Sequence, residues 1–321
     1  MKVHFWGTRG SLPTSVTTRS IASKIFKAIQ ASRTCELKTD EAIKAFIREA
    51  LPFSVRESYG GNTACVAISN EQEYIVCDAG TGLRDLGHEY MKSRAGGRES
   101  LPRVFHIFIS HLHWDHIQGF PFFTPAYLPG NQIRIYGHHA ALEETFVRQQ
   151  DPPCFPVPLR DMKADISFHL LSTDHEYDIA GVKVTAVKQK HPGDSYGYCF
   201  MANGKKVVYS TDSEHDAGAL DDHYRFIEFF KNAELLIFDA QYSFLDAVDA
   251  KENWGHSSNL LGVELAMRAG VKRLCLFHHE HTLDDEALDQ FLADTGKYLN
   301  ILDSSSGMEI HLAYDGLSIE I

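Results

Sequence analysis

"SHLHWDHIQG", residues 110–119, places three histidines and an aspartate within six positions, directly after the apolar run "RVFHIFI". Such a run is strand-like, and a strand end is where an α/β protein presents ligands in a crevice. His111 and His113 are two apart, so in an extended segment they point the same way. Asp115 and His116 follow where the chain must turn. The stretch therefore offers two ligand groups with different aims: His111 and His113 toward one ion, Asp115 and His116 toward a neighbour. Imidazole nitrogen and carboxylate oxygen suit zinc, manganese or iron better than calcium.

One such cluster cannot complete two coordination shells, so further His or Asp residues are sought at strand ends. "VKVTAVKQKH" closes on His191, "KVVYSTD" on Asp212, and "RLCLFHH" on His278 or His279. Each stands just past an apolar run and can converge on the same rim. His278 follows "LCLF" directly and is preferred; His279 is the alternative. His281 reads as a loop residue, His138 and His139 as surface residues.

The rest of the chain sets bounds. Its 321 residues can bury a sizeable core without staples. A formal charge of −12 argues against a phosphate-backbone binder, because nucleic-acid affinity rests on excess Lys and Arg. None of the six cysteines forms a CxxC pair, and Cys65, Cys77, Cys199 and Cys275 lie inside apolar runs. They read as free thiols in a reducing cytosol. "MKVHFWGTRGS" is too short and polar for a cleavable signal, and no stretch approaches a membrane span. The expected setting is cytoplasmic, with no membrane partner.

Strands alternate with glycine turns: "KVHFW", "TACVAIS", "YIVCDAG", "VFHIFIS" and "QIRIYG", then "VKVTAVKQ", "YGYCFMA", "KVVYSTD", "LLIFDAQ" and "RLCLFHH". Helical patterns occupy "HSSNLLGVELAMRAG" and "LDDEALDQFLADTGKYL". "MEIHLAYDGLSIEI" reads as a final hairpin around Asp315 and Gly316. Residues from about 15 to 57 read as a helical insertion. One face carries Ile21, Ile25, Phe26 and Ile29; another, starting at Thr39 as N-cap, carries Ile43, Phe46, Ile47 and Leu51. These faces could serve a homodimer. Two strand-rich halves with helices between and after them suggest an α/β fold of two sheets packed face to face, helices outside. "GFPFFTPAYLPG" and "DPPCFPVPL" cannot be regular elements. They are either packed surface loops or a wall over a pocket.

The ordered set of HxHxDH (His111, His113, Asp115, His116), a strand-end His, a strand-end Asp and a late strand-end His resembles the metallo-β-lactamase superfamily. That resemblance implies an αβ/βα four-layer sandwich of two mixed sheets, one metallo-hydrolase domain over 1–321, and a dinuclear centre. It implies that His111, His113 and His191 hold one divalent ion, that Asp115, His116 and His278 hold the other, and that Asp212 bridges them. Zinc is the default, with Mn2+ or Fe2+ as alternatives. A paired-ion centre acidifies a shared water and predicts hydrolysis. Asp115 is expected to orient the attacking water as well as to ligate.

"NWGHSS" before a helix, followed by "AGVKRLCLFHH", is similar to ribonuclease Z and related phosphodiesterases, where a His in a GHS-type motif reaches the scissile phosphate. His256 takes that catalytic place here, and Ser257 or Ser258 is a suitable N-cap. "YGGNTACV" and "DAGTG" fit the same branch. Ribonuclease Z carries a tRNA-gripping arm between its third His motif and its bridging Asp. Here only "HPGDSYGYCFMANGKKVVYSTD" separates His191 from Asp212, which leaves no room for an arm. A small phosphodiester such as a 3′,5′-cyclic nucleotide is the favoured substrate, with tRNA processing less favoured. Rings of the Pro/aromatic loops are expected to stack on its base. Ser195 and Tyr196 either contact its phosphate or ribose, or simply start the next strand. A lactonase or thioesterase, and a silent metal- or nucleotide-binding regulatory module, are the competing classes.

Overall fold

A computed structural model describes residues 1–69, 73–96, 101–215, 217–221, 223–243 and 253–321. Among the described residues, fourteen strands form two sheets of seven. Sheet one contains β1 (Lys2–Gly7), β2 (Cys65–Ser69), β3 (Tyr74–Cys77), β4 (Val104–Phe108), β5 (Gln132–Gly137), β6 (Asp165–Leu170) and β14 (Ser318–Glu320). Sheet two contains β7 (Tyr177–Ile179), β8 (Val182–Gln189), β9 (Ser195–Ala202), β10 (Lys205–Ser210), β11 (Leu235–Asp239), β12 (Arg273–Phe277) and β13 (Glu309–Leu312).

The orders are β14-β1-β2-β3-β4-β5-β6 and β13-β12-β11-β10-β9-β8-β7. Both sheets are mixed. β3 through β6 run parallel, as do β10 through β13, and the other neighbours are antiparallel. Parallel strands buried on both faces read as continuous apolar runs. β11, "LLIFD", is buried at all five positions.

The sheets meet through Val3, Phe5, Val66, Ile75, Phe108 and Tyr136 on one side and Val184, Tyr198, Phe200, Tyr209, Ile237 and Phe277 on the other. Helices cover the outer faces. Gly82–Ala95 and Leu142–Gln150 pack on sheet one through Leu83, Leu86, Leu142 and Phe146. Asn259–Arg268 and Asp285–Leu302 pack on sheet two through Val263, Leu265, Leu288 and Leu299. This is the sandwich expected from the sequence.

Three expectations need correction or sharpening. Residues 309–320 are not a hairpin: β13 pairs parallel to β12, whereas β14 pairs antiparallel to β1 in the other sheet. The Asp315–Gly316 turn carries the chain between sheets, because the Asp315 carboxylate accepts Gly61 N–H and Asn62 N–H (3.0 and 2.9 Å). The first Pro/aromatic segment is largely core: Phe120, Phe123, Pro125 and Ala126 are buried among the residues under sheet one. Phe122 stays exposed, against Phe155.

The insertion forms helices Thr18–Ser32, Asp40–Glu49 and Phe53–Arg56. Thr39 caps the second, its hydroxyl accepting Ala42 N–H. Yet Ile21, Ile25, Phe26 and Ile29 are 49–61% exposed, and neither long helix buries a residue. Lys24 and Asp285 pin the first helix to the last one at 2.5 Å.

Candidate metal centre

The strand ends deliver the chemistry. Asp78 follows β3, residues 110–116 follow β4, His191 follows β8, Asp212 follows β10, Asp239 ends β11 and His278 follows β12. Three of these residues hold left-handed backbones, Asp78 at φ 62°, Asp212 at 48° and His278 at 61°. Non-glycine residues adopt that region at a cost, and such strain collects at functional sites. Here it turns each side chain off its strand into the gap between the two sheets.

Two groups of ligand atoms result. His111, His113 and His191 form one; Asp115, His116 and His278 form the other; each offers atoms within 4.8 Å of one another. In the first, His113 Nδ1 stands 3.1 Å from His191 Nε2. In the second, His278 Nε2 stands 3.2 Å from both Asp115 Oδ2 and His116 Nε2. Asp212 lies between, one oxygen to each side. Its Oδ2 is 3.5 Å from His111 Nε2 and 3.7 Å from His191 Nε2. Its Oδ1 is 3.2 Å from His116 Nε2 and 3.3 Å from His278 Nε2.

The donor set fits divalent cations. Asp78, Asp115, Asp212 and Asp239 are buried, and their described ion-pair partners are imidazoles only. Buried carboxylates without a strong cation are costly. His111 Nε2 is buried with no hydrogen-bond partner, a lone pair aimed at the gap. Burial, then neighbouring His116, holds the His111 imidazole well below its usual range, so it is neutral and fit to ligate. Burial also lowers His191 and, beside His191, His113. Burial would raise Asp115 and Asp212, but the adjoining histidines outweigh it and hold both carboxylates well below their usual range. His116 is driven the other way: burial lowers it, and Asp212, Asp115 and Asp78 together raise it well above.

A surrounding layer fixes each imidazole. Asp78 Oδ2 accepts from His116 Nδ1 at 2.7 Å and from Tyr209 O–H at 2.7 Å. Its Oδ1 accepts Ser110 N–H at 2.7 Å. Gly255 O accepts from His191 Nδ1 at 2.9 Å. A Cβ on Gly255 would stand 2.2 Å from that nitrogen, so only glycine lets the loop approach. Ser11 N–H donates to Asp115 Oδ2 at 2.8 Å. Partners of this kind orient ligating groups and raise their basicity.

His256 precedes the helix Asn259–Arg268, whose N-cap is Ser258. Its Nδ1 donates to Asp239 Oδ2 at 2.9 Å and lies 4.0 Å from Asp212 Oδ2. Its ring stacks on His278 at 5.1 Å and meets His191 edge-on at 5.0 Å. Burial opposes its protonation, but Asp239 prevails and raises it to about 9.

The structure separates His278 from its neighbour. His279 points away and donates from Nε2 to Ala313 O at 2.7 Å, and burial, then Arg9, lowers it to about 3. Of the two readings for Ser195, the structure shows the start of a strand: it begins β9, is fully buried, accepts from Gln189 Nε2 (3.2 Å) and donates to Thr211 O (3.4 Å). Tyr196 is the second residue of β9, half-buried, with its ring stacked on His138 at 4.2 Å. His138 and His139 are therefore not plain surface residues; His139 Nε2 donates to Asp194 O at 2.8 Å. Sequence reading missed Asp78 and Asp239 as positioning carboxylates. Their signal was the pattern already used for Asp212, an Asp at the end of an apolar run.

A family model described as the beta-lactamase superfamily domain matches residues 73–279. Ribonuclease Z of Thermoplasma acidophilum is 24% identical over 260 residues, 67% of this chain and 81% of that protein. The metallo-β-lactamase fold protein YhfI from Bacillus subtilis is similar at a TM-score of 0.63 and 18% identity, covering 100% of this chain and 98% of that one. The short form of human tRNase Z is similar at 0.60 and 21%, covering 100% and 99%. With its strand-end ligand set inside the matched span, the chain belongs to the β-lactamase superfamily.

Proposed function

We propose that the protein is a two-metal phosphodiesterase acting on a small phosphodiester such as a 3′,5′-cyclic nucleotide. His111, His113 and His191 hold one ion, Asp115, His116 and His278 the other, and Asp212 bridges, with zinc as the default metal. Two bound ions supply Lewis acidity toward phosphoryl oxygen and an acidified water. Asp115, fixed by Ser11 N–H, orients the attacking water. Asp239 keeps a proton on His256 Nδ1 and fixes the ring beside both ligand groups, so its other edge can donate to phosphoryl or leaving oxygen. All six cysteines are free, which fits a cytoplasmic setting.

The observation that carries this reading is His256 standing against both ligand groups on its own carboxylate. A lactonase or thioesterase gives that residue no task at phosphorus. His256→Ala is expected to keep metal content and to lower turnover of bis(p-nitrophenyl) phosphate by about 10²- to 10⁴-fold. Unchanged turnover would remove the assignment, and lactone hydrolysis without phosphodiester hydrolysis would favour the other class.

RNA is the second substrate class, because relatives are named ribonuclease Z. Against it, β9 and β10 join His191 to Asp212 through a turn at 203–204 with no inserted arm, and the chain carries a charge of −12. Cleavage of a tRNA precursor at a rate above that on cyclic nucleotides would reverse the order.

A further inference from the structure

Glu214 stands two residues past Asp212, with its side chain 12% exposed. Its carboxylate reaches two other segments of the centre. Oε1 accepts from Lys190 Nζ at 2.8 Å and from Asn253 N–H at 3.2 Å, and Oε2 accepts Gly255 N–H at 2.9 Å. Its own N–H donates to Lys190 O at 2.9 Å. One residue therefore ties together the segment after Asp212, the residue before His191 and the loop before His256.

The loop is shaped for such a tie. Asn253 and Gly255 both hold left-handed backbones, at φ 64° and 86°. Turn amides that converge on one point make a concavity for an anion, and Glu214 supplies one from within the chain. The ion pair with Lys190 adds little, because that lysine is 46% exposed. The two backbone N–H groups, bonded to a charged acceptor, are the stronger part. A third stitch lies alongside, where Ser257 Oγ donates to Ser213 O. Ser213 N–H in turn donates to Asp239 Oδ2 at 3.0 Å, the oxygen that holds His256 Nδ1.

At Gly255 this hold reaches a ligand. Its N–H is bound by Glu214, while its carbonyl accepts from His191 Nδ1 at 2.9 Å. A proton kept on Nδ1 leaves Nε2 as the nitrogen with the lone pair. Nε2 is the atom that faces the first ligand group, 3.1 Å from His113 Nδ1 and 3.7 Å from Asp212 Oδ2. His256 follows Gly255 directly, so the same anchored turn sets where its ring stands, 5.0 Å from His191 and 5.1 Å from His278.

We propose that Glu214 is a positioning residue that serves both halves of the chemistry. Through Gly255 it fixes His191 for metal binding, and through the loop 253–257 it fixes His256 for its work at phosphorus. The second role rests on the phosphodiesterase reading; the first does not.

The test uses the full chain loaded with zinc. Competition against a chromogenic chelator reads the two zinc affinities, and bis(p-nitrophenyl) phosphate reads kcat and KM at saturating zinc. Glu214→Ala is expected to weaken one zinc equivalent about 10- to 100-fold and to leave the other at its wild-type value. With both equivalents bound, kcat should fall on the order of 10- to 100-fold at unchanged KM. Both losses should be smaller in Glu214→Gln, whose amide oxygen keeps one of the two N–H bonds. In a His256→Ala background Glu214→Ala should lower kcat no further, since its effect passes through His256. Wild-type zinc affinity, or equal loss at both equivalents, would overturn the hold on His191. A loss in kcat that multiplies with that of His256→Ala would overturn the hold on His256. If Glu214→Ala does not fold, Glu214→Gln carries the same comparisons. A wild-type chain that binds both zinc ions and leaves the phosphodiester intact removes the reaction, and the role at His256 with it. The zinc competition then still decides the hold on His191.

Discussion

Asp78→Asn offers a sharp test of how the centre is built, because it changes one atom and touches no proposed ligand position. The Asp78 carboxylate accepts four hydrogen bonds: Ser110 N–H on Oδ1, and His116 Nδ1–H, Tyr209 O–H and Ser110 O–H on Oδ2 at 2.7, 2.7 and 2.8 Å. All four partners are donors. An amide offers one acceptor oxygen, and its NH2 must then face a donor. With the oxygen toward His116, Ser110 N–H loses its partner in a fully buried place, a cost of about 1–3 kcal/mol. The bonds that remain lose their charge assistance, on the order of 1 kcal/mol each. Together the loss is roughly 4–6 kcal/mol of stability. His116 also loses its anchor, and second-layer changes of this kind weaken metal binding about 10- to 100-fold. Urea denaturation measures the first effect, and zinc competition against a chromogenic chelator measures the second. A variant with wild-type stability and zinc affinity would refute the view that this carboxylate organises the second ligand group.

Four further outcomes follow from other contacts. Gly255→Ala places a Cβ 2.2 Å from His191 Nδ1 at a φ of +86°, so one metal equivalent should weaken about 10-fold or more by elemental analysis after dialysis. Burial, the largest influence on His138, lowers it from 6.5 to about 4, so its neutral form stabilises the fold fully above pH 6.5 and the contribution fades as pH falls toward 4. His138→Phe, which keeps the stack on Tyr196, should remove on the order of 1 kcal/mol of the stability lost between pH 6.5 and about pH 5 in urea titrations, the ring being partly screened by water. Chelation of a zinc-loaded sample should lower the melting temperature, since a ligand present at about 100-fold over its Kd stabilises by about 2.7 kcal/mol; an unchanged melting point would mean that no folded-state metal site exists. If the exposed faces of the insertion pair two copies, the chain elutes at twice its 36.1 kDa mass, and Ile25→Asp with Ile29→Asp returns it to that mass in light scattering.

Sequence made the buried strands and the ligand set legible because both depend on local pattern. Apolar runs such as "LLIFD" have strand length, and their ends mark where polar groups can cluster. β6 and β7 lie at the sheet edges and are exposed on at least one face; β6 has no buried residue, although its "DISFHL" alternates polar and apolar residues as a half-exposed strand does. The helix Gly82–Ala95 escaped because its buried positions include two glycines and a tyrosine, which blur a 3.6-residue apolar period. The false hairpin at 309–320 had the turn chemistry of one, and only the burial of the Asp315 carboxylate against residues 61 and 62 sends the two strands to different sheets. His278 is the preferred ligand by its place directly after "LCLF", and His279 stays the alternative in the sequence because the partner that claims it, Ala313 O, lies 34 positions downstream.

The same geometry explains why the centre needs both sheets. Asp78 and residues 110–116 come from sheet one, whereas His191, Asp212, Asp239, His256 and His278 come from sheet two or its connections. Only the core between the sheets brings them within reach, through contacts such as Phe108 with Tyr198 and Phe5 with Phe277. The exit of β1 adds a lock. Its Thr8 O accepts His279 N–H at 3.1 Å, Gly10 N–H returns to His279 O at 2.9 Å, and Ser11 N–H holds Asp115. That segment touches ligands of both sheets, and a Cβ on Gly10 would stand 2.6 Å from the His278 ring. Packing therefore holds the candidate ligands together, and a divalent cation bound there would give the buried carboxylates a partner of full charge. Stability of the sandwich and metal affinity are thus expected to be coupled through one set of contacts: a substitution that loosens the sheets should also weaken metal binding.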